Sequence, residues 1–319
     1  SGQGKRSAAS VVEAYVQRIV SDVKLARPMR IAIDCGNGVA GAVAPRLFRA
    51  LGCEVEELYC DVDGHFPNHH PDPSQPKNLR ELIDKVKRGK SELGIAFDGD
   101  GDRLGLVTKD GEIIFADRQL MLYAKDVLSR NPGAEIIYDV KSTRLLAPWI
   151  EKLGGRPLIW KTGHSLIKAK LKETGALLAG EMSGHTFFKE RWYGFDDALY
   201  CGARLLEIVA REKDANPILK ALPNAPSTPE LHWGLEEGEP HALVAKLQQS
   251  KPFPGAERVL TIDGVRVEYK DGFGLARASN TTPVIVLRFE ADSAGALERI
   301  KNDFRSALQP LKPHAPLPY

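Results

Sequence analysis

Apolar and polar positions along the chain alternate between two rhythms. Val12, Tyr15, Val16, Ile19, Val20 and Val23 recur at the 3.6-residue period of a helix with one buried face, and Ser10 and Glu13 stand at capping-box spacing at its start. A mostly apolar run, Met29 to Ile33, ends in Asp34-Cys35-Gly36-Asn37-Gly38 and predicts a strand entering a glycine-rich turn. A helix from Val43 to Leu51, a strand from Glu54 to Leu58 and a helix around Asn78 to Arg88 follow. A third strand, Leu93 to Phe97, runs straight into an acidic loop. The order then repeats. Ile136-Ile137-Tyr138-Asp139 resembles Ile31-Ala32-Ile33-Asp34, Pro157 to Trp160 takes the place of the second strand, and Ala176 to Ala179 runs into Gly180-Glu181 as the earlier strand ran into Asp98.

Strands alternating with helices define an α/β layer structure. Beyond Ala221 the texture changes. The proline-rich stretch Leu222 to Pro229 reads as a linker, Arg258 to Tyr269 and Thr282 to Phe289 as strands, Ser293 to Leu308 as an amphipathic helix, and Pro310 to Tyr319 as a loose tail. The expectation is two related α/β domains with mixed sheets, residues 7–112 and 113–224, followed by a smaller α+β domain, residues 225–319.

Composition narrows the function classes. With 43% hydrophobic and 27% charged residues the chain is an ordinary globular one, and a net charge of +2 gives no reason to expect nucleic acid or an anionic membrane as partner. The four cysteines, Cys35, Cys53, Cys60 and Cys201, form no CxxC and no framework spacing, so they read as reduced thiols of a cytoplasmic protein. There is no apolar run of about 18 residues and no export signal. The chain begins Ser1-Gly2-Gln3 without Met, which leaves an expression scar or an upstream natural start.

Candidate chemistry gathers at the strand ends. In Asp98-Gly99-Asp100-Gly101-Asp102-Arg103 three carboxylates at i, i+2 and i+4, spaced by glycines, can turn toward one point. An all-carboxylate set with positions left open suits a hard cation such as Mg²⁺. The EF-hand alternative fails, because its sixth and twelfth positions, which need Gly and Glu, hold Arg103 and Lys109. Three carboxylates against one dication leave a single negative charge, which Arg103 offsets, so the site is poised to take a phosphate oxygen. Gly180-Glu181-Met182-Ser183-Gly184-His185, at the matching place in the second repeat, pairs a carboxylate with a hydroxyl as sugar hydroxyls require. Taken alone, its Glu181 is equally read as a helix cap. Arg277-Ala278-Ser279-Asn280-Thr281-Thr282-Pro283 concentrates a guanidinium, hydroxyls and an amide in one loop before a strand, either a phosphate cradle or an ordinary polar turn. Lys141 and His164 also sit at strand ends. His65, His69 and His70 lie among prolines that prevent helical ligand spacing, so they read as a plain loop.

In this order, the DGDGDR, GEMSGH and RASNTTP segments resemble the metal, sugar and phosphate loops of the α-D-phosphohexomutases. GEMSGH is similar to that of the bacterial phosphomannomutase/phosphoglucomutase branch, and the DGHFPNHHPDPS stretch extends the resemblance to nearly the whole chain. The resemblance implies a four-domain protein around one cleft, interconverting hexose 1-phosphate and hexose 6-phosphate through a phosphoserine and a bisphosphate intermediate. It implies Asp98, Asp100 and Asp102 as Mg²⁺ ligands, Arg103 beside the phosphoserine, and His185 as a general acid/base. Glu181 and Ser183 would contact the sugar O3 and O4, with the Met182 and Gly184 backbone shaping the loop. Lys141 and His164 would be further sugar contacts, and Arg277, Ala278, Ser279, Asn280 and Thr281 the clamp on the non-reacting phosphate. Glucose and mannose phosphates are the implied substrates, with glucose 1,6-bisphosphate as activator.

One feature of that family is absent from residues 1–319. No T-A-S-H-N-P-like stretch, the family's nucleophile motif, precedes the metal loop. The expectation is therefore an N-terminal phosphoserine domain as missing partner, and no turnover by this chain alone. A non-catalytic phosphosugar-binding protein stands as the alternative function, and a Ca²⁺-binding module as one the loop count disfavours.

Overall fold

The computed structural model describes residues 4–249 and 253–319, so the atypical start at Ser1-Gly2-Gln3 lies outside the described residues. Two compact units emerge, one of residues up to Val127 together with Ser183–Leu222, the other of Leu128–Met182 together with Pro223–Tyr319.

In the first unit, α1 (Val12–Asp22) buries Val16 and Ile19 on the periodic face, but Val11 stands at its N-cap and no side chain caps it. The expected capping box does not form: Ser10 lies one position too early for its hydroxyl to reach the N2 or N3 amide. β1 (Met29–Asp34), α2 (Ala44–Ala50), β2 (Cys53–Leu58), α3 (Arg80–Arg88), β3 (Leu93–Phe97), β4 (Leu104–Thr108) and β5 (Ile113–Ile114) follow. Their strands make one mixed sheet in the order β2-β1-β3-β4-β5, parallel across the first three and antiparallel across the last two. Every residue of β3 and β4 is buried, and Leu79, Leu82 and Val86 pack on Ala32, Ala96 and Val107.

α4 (Ala116–Arg130) carries the chain into the second unit. There β6 (Glu135–Asp139), α5 (Leu146–Lys152), β7 (Arg156–Trp160), α6 (His164–Thr174) and β8 (Leu178–Gly180) place three parallel strands in the order β7-β6-β8. That is the order β2-β1-β3 again, with Asp139 at the strand end where Asp34 stood, as the sequence repeat implied. β9 (Thr186–Phe188), α7 (Ala198–Val209) and α8 (Ala215–Lys220) belong to the first unit. All twelve residues of α7 are buried, Arg204 included, with its guanidinium between Asp126 and Glu190.

The rest of the second unit is β10 (Leu231–Gly234), α9 (Glu239–Gln249), β11 (Arg258–Leu260), β12 (Val265–Tyr269), β13 (Gly272–Ala278), β14 (Val284–Ala291) and α10 (Ala294–Leu308). The five strands form an antiparallel sheet in the order β10-β14-β13-β12-β11, the α+β arrangement expected. Two expectations are corrected by this unit. Arg258 to Tyr269 is not one strand, because a turn containing Gly264 at φ 79° divides it. The tail is not loose: Leu311, Ala315, Leu317 and Tyr319 pack on the core, and the Tyr319 ring meets Phe289 edge-on at 4.9 Å. All four cysteines are free thiols; Cys35, Cys53 and Cys201 are buried and Cys60 is half-buried. No described helix is long and apolar enough to cross a membrane.

Candidate functional site

The acidic loop is the connection of a tight antiparallel hairpin, with Phe97 opposite Leu104. It organises itself. Asp98 Oδ1 accepts the backbone N–H groups of Gly101, Asp102 and Arg103 at 3.0 Å each, and its Oδ2 accepts Arg103 Nε at 2.6 Å. Gly101 adopts φ 79°, a left-handed turn that glycine takes without strain. One oxygen each from Asp98, Asp100 and Asp102 comes within 4.8 Å of the others. Crowding of like charge shows in the titration. Burial, with the neighbouring carboxylates, pushes Asp102 up to about 7, and burial and Asp98 raise Asp100. Burial would raise Asp98 too, but its contacts with the Arg103 guanidinium hold it below the usual range. Three converging carboxylates, two of them reluctant to ionise without a cation, fit a divalent metal.

The second half of segment 180–185 docks on this hairpin. Gly184, at φ 117°, accepts the Leu104 N–H through its carbonyl, and a Cβ there would stand 3.0 Å from the Arg103 Cβ. His185 bridges to Arg103, with Nδ1 at 3.4 Å from Asp102 and 3.2 Å from Asp196. Among the described residues, Asp102, His185 and Asp196 form the second group able to converge on an ion. Ser183 is half-buried. A hollow of about 290 Å³ opens beside the hairpin, lined by Tyr15, Val39, Val43, Asp100, Asp102 and Phe195. His69 Nε2 reaches both carboxylate oxygens of Asp34 at 3.1 Å, a hydrogen bond that lifts its pKa to about 9 against partial burial, while His65 is exposed on Asp63.

In the second unit, polar groups are joined over long sequence distances. Asp139, buried at the end of β6, accepts Ser142 Oγ at 2.7 Å and the Met182 N–H at 3.1 Å on Oδ1, and Thr162 Oγ1 at 2.8 Å on Oδ2. Glu181 is buried and accepts the N–H of Gly163, the residue at the N-cap of α6. Lys141, 5% exposed, pairs with Glu230 at 2.6 Å. Its loop is clasped by the antiparallel sheet: Arg266 donates to the Val140 and Ser142 carbonyls and Arg288 to that of Lys141. His164 is exposed at the first position of α6.

The expected phosphate loop is only partly a loop. Arg277 and Ala278 are the buried last residues of β13, and the loop proper is Ser279 to Pro283. Ser279 Oγ accepts the Thr281 and Thr282 N–H groups, curling the backbone, while Asn280 and Thr281 are exposed. Arg277 donates from Nε to Asp263 at 3.0 Å, and its buried Nη2 has no hydrogen-bond partner among the described residues. A buried guanidinium N–H is costly to leave unpaired, which marks the position for an anionic ligand.

Sequence reasoning missed Asp139, Glu230, Asp196 and Asp263 as parts of these arrangements. Asp139 carried a signal, its place in the repeat. Asp263-Gly264 is a turn dipeptide hidden inside an apparent strand.

A mixed α/β sheet ends in a carboxylate hairpin in the first unit, and the antiparallel sheet of the second carries a buried arginine whose Nη2 is unpartnered among the described residues. The chain belongs to the phosphoglucomutase/phosphomannomutase family: residues 13–111 match its alpha/beta/alpha domain II, 115–225 its alpha/beta/alpha domain III, and 231–307 its C-terminal domain. It is 60% identical over 308 residues to a phosphoglucomutase of Neisseria meningitidis serogroup A, covering 96% of this chain and 67% of that protein. It is 56% identical over 320 residues to the phosphomannomutase/phosphoglucomutase of Pseudomonas aeruginosa, covering 100% of this chain and 69% of the relative. The crystal structure of a phosphoglucomutase/phosphomannomutase family protein from Burkholderia thailandensis superposes with a TM-score of 0.95 at 63% identity, over 100% of this chain and 68% of the other. These place it in the bacterial phosphomannomutase/phosphoglucomutase branch.

Proposed function

We propose that this chain supplies the metal, sugar and phosphate sites of an enzyme interconverting hexose 1-phosphate and hexose 6-phosphate, of glucose and of mannose, through a phosphoserine and a hexose 1,6-bisphosphate. The single observation that carries the reading is the buried Arg277 with an unpartnered Nη2, in a chain 56–60% identical to relatives named for these reactions. Arg277, with the Ser279–Thr281 backbone, grips the phosphate that stays on the sugar. Glu181 and Ser183 take the sugar hydroxyls at C3 and C4, leaving C2 unread, with Lys141 and His164 as further contacts. Asp98, Asp100 and Asp102 would hold Mg²⁺, whose chemistry is to polarise a phosphoryl oxygen. Arg103 offsets the residual negative charge there, and His185, poised between Asp102 and Asp196, holds or releases the proton of a reacting sugar hydroxyl. Residues 7–112, 113–224 and 225–319 are proposed as the metal, sugar and phosphate segments in turn.

The nucleophilic serine would come from outside residues 1–319, since none of the chain's serines lies in a stretch of the required kind ahead of the hairpin. Phosphoryl transfer needs a nucleophile held in line with phosphorus. The purified chain, supplied with glucose 1-phosphate, Mg²⁺ and a trace of glucose 1,6-bisphosphate, is expected to bind sugar phosphate calorimetrically and to form no glucose 6-phosphate. Turnover above a contaminant control would mean that a serine such as Ser183 or Ser279 is phosphorylated. Absence of binding would defeat the substrate assignment.

A further inference from the structure

We infer that Asp263 is a positioning residue that fixes the spacing between Arg277 and the loop of residues 161–164, so that the second unit prefers a hexose phosphate to phosphate alone. The inference rests on the hexose phosphate reading above and names a part of the site that carries no motif. One oxygen, Asp263 Oδ2, accepts both the Arg277 Nε–H at 3.0 Å and the Thr162 backbone N–H at 2.9 Å. Thr162 is tied onward through its hydroxyl to Asp139, which also holds the Met182 N–H, and the next amide, Gly163, is tied to Glu181. A single carboxylate oxygen therefore stands between the guanidinium and the loop that holds the sugar-facing carboxylate.

The turn bearing Asp263 is itself fixed. Gly264 lies so close to the end of β13 that a Cβ there would sit 2.4 Å from the Ala276 carbonyl and 2.6 Å from the Arg277 Cβ. On the other side of Asp263, Ile262 packs with Ile159 on the buried cluster of Val140, Phe273 and Leu275. Held from both flanks, the carboxylate has little freedom to follow a displaced arginine. Engaging Nε fixes the guanidinium plane, and the negative charge makes burial of Arg277 tolerable before ligand arrives. Inorganic phosphate needs only the guanidinium and the Ser279–Thr281 backbone. A hexose phosphate must meet Arg277 with one end and the Glu181 loop with the other, so it alone senses their separation.

The experiment titrates the 319-residue chain and two variants, Asp263→Asn and Asp263→Glu, with glucose 6-phosphate and with inorganic phosphate, after circular dichroism has confirmed folding. Asn keeps the shape and removes the charge; Glu keeps the charge and changes the reach. Positioning predicts that both variants bind glucose 6-phosphate about tenfold more weakly, the effect of one misplaced charge-assisted contact, with inorganic phosphate changed less than about threefold. If Asn shifts both ligands equally and Glu shifts neither, Asp263 acts through charge alone and the inference is overturned. Unchanged affinities in both variants overturn it as well. If the native chain binds no glucose 6-phosphate, the substrate reading falls and takes this inference with it. Should neither variant fold, hydrogen exchange of the Thr162 amide in the native chain decides. Protection that persists at saturating glucose 6-phosphate supports the tie, and exchange as fast as that of exposed loop amides overturns it.

Discussion

The carboxylate hairpin of the first unit and the polar network of the second both hold charged side chains at strand ends, and they do so over different lengths of chain. In the hairpin, Asp98 is satisfied by donors no more than five residues away. In the network, Asp139 reaches Met182, Thr162 reaches Asp263, and Arg266 reaches Val140, separations of 43, 101 and 126 residues. A local site carries its own scaffold in its sequence. A distributed site borrows its scaffold from elements whose own sequences say nothing about ligand. The hairpin is thus expected to fail as a unit when its buried member is lost, whereas the network is expected to lose recognition while the fold stands.

The largest expected effect tests the first half of that contrast. Asp98→Ala strands three half-buried amides and removes the partner of Arg103 Nε, leaving that guanidinium its contact with Asp72 at 3.3 Å. It is expected to destabilise the first unit by about 3–5 kcal/mol, read as a lowered unfolding midpoint. A native-like midpoint would show that the loop is not self-supporting. The second half is tested by Arg277→Ala, expected to remove about 2–4 kcal/mol of glucose 6-phosphate binding while the Mg²⁺ isotherm stays unchanged. A change in both isotherms would dissolve the distinction.

A pH series probes a long-range tie that the first unit does contain. His69, raised to about 9 chiefly by its hydrogen bond to Asp34, keeps its proton to a higher pH folded than unfolded, where about 6.5 is normal. Its contribution is fully present below about pH 6.5 and is lost as pH rises through about 9. The stability difference between the native chain and His69→Gln is expected to shrink by on the order of 2 kcal/mol between pH 6 and pH 10. A difference that is flat across that range would mean the imidazole is neutral against Asp34.

The same contrast explains what could be read from sequence. β1, β2 and β3, their repeat in β6, β7 and β8, and the convergence of the three DGDGDR carboxylates were legible because strand period and motif are local properties. β13 was not, because Gly272 and Gly274 resemble turn residues. In the fold they are places where a Cβ would collide with the Glu290 carbonyl at 2.3 Å and the Phe304 ring at 2.3 Å, so they mark close packing of strand and helix. All faces of α7 are buried, so its charged residues Arg204 and Glu207 mark no solvent-facing side in the sequence. The proline-rich tail misleads for a related reason: its prolines prevent regular structure but not the docking of Leu317 and Tyr319. Glu230 and the tie of Asp263 to Thr162 were invisible because the partners lie 89 and 101 residues away in the chain.

The smallest effect separates the two tasks within the hairpin itself. Asp100 is the exposed member of the carboxylate set, whereas Asp98 is buried and accepts the loop's donors. Its oxygen lies within 4.8 Å of those of Asp98 and Asp102, so without a cation its charge repels theirs. Asp100→Ala removes that repulsion and strands no buried donor. Its unfolding midpoint in the absence of metal is therefore expected to match the native value or rise slightly. In the same protein Mg²⁺ binding is expected to weaken by about tenfold, because a hard cation loses one of three charged oxygen ligands. The two readouts must move apart. An unchanged Mg²⁺ isotherm would remove Asp100 from the ligand set. A fall in the metal-free midpoint would show that Asp100 shares the scaffolding role with Asp98, so that ligand and scaffold are not divided between the two carboxylates.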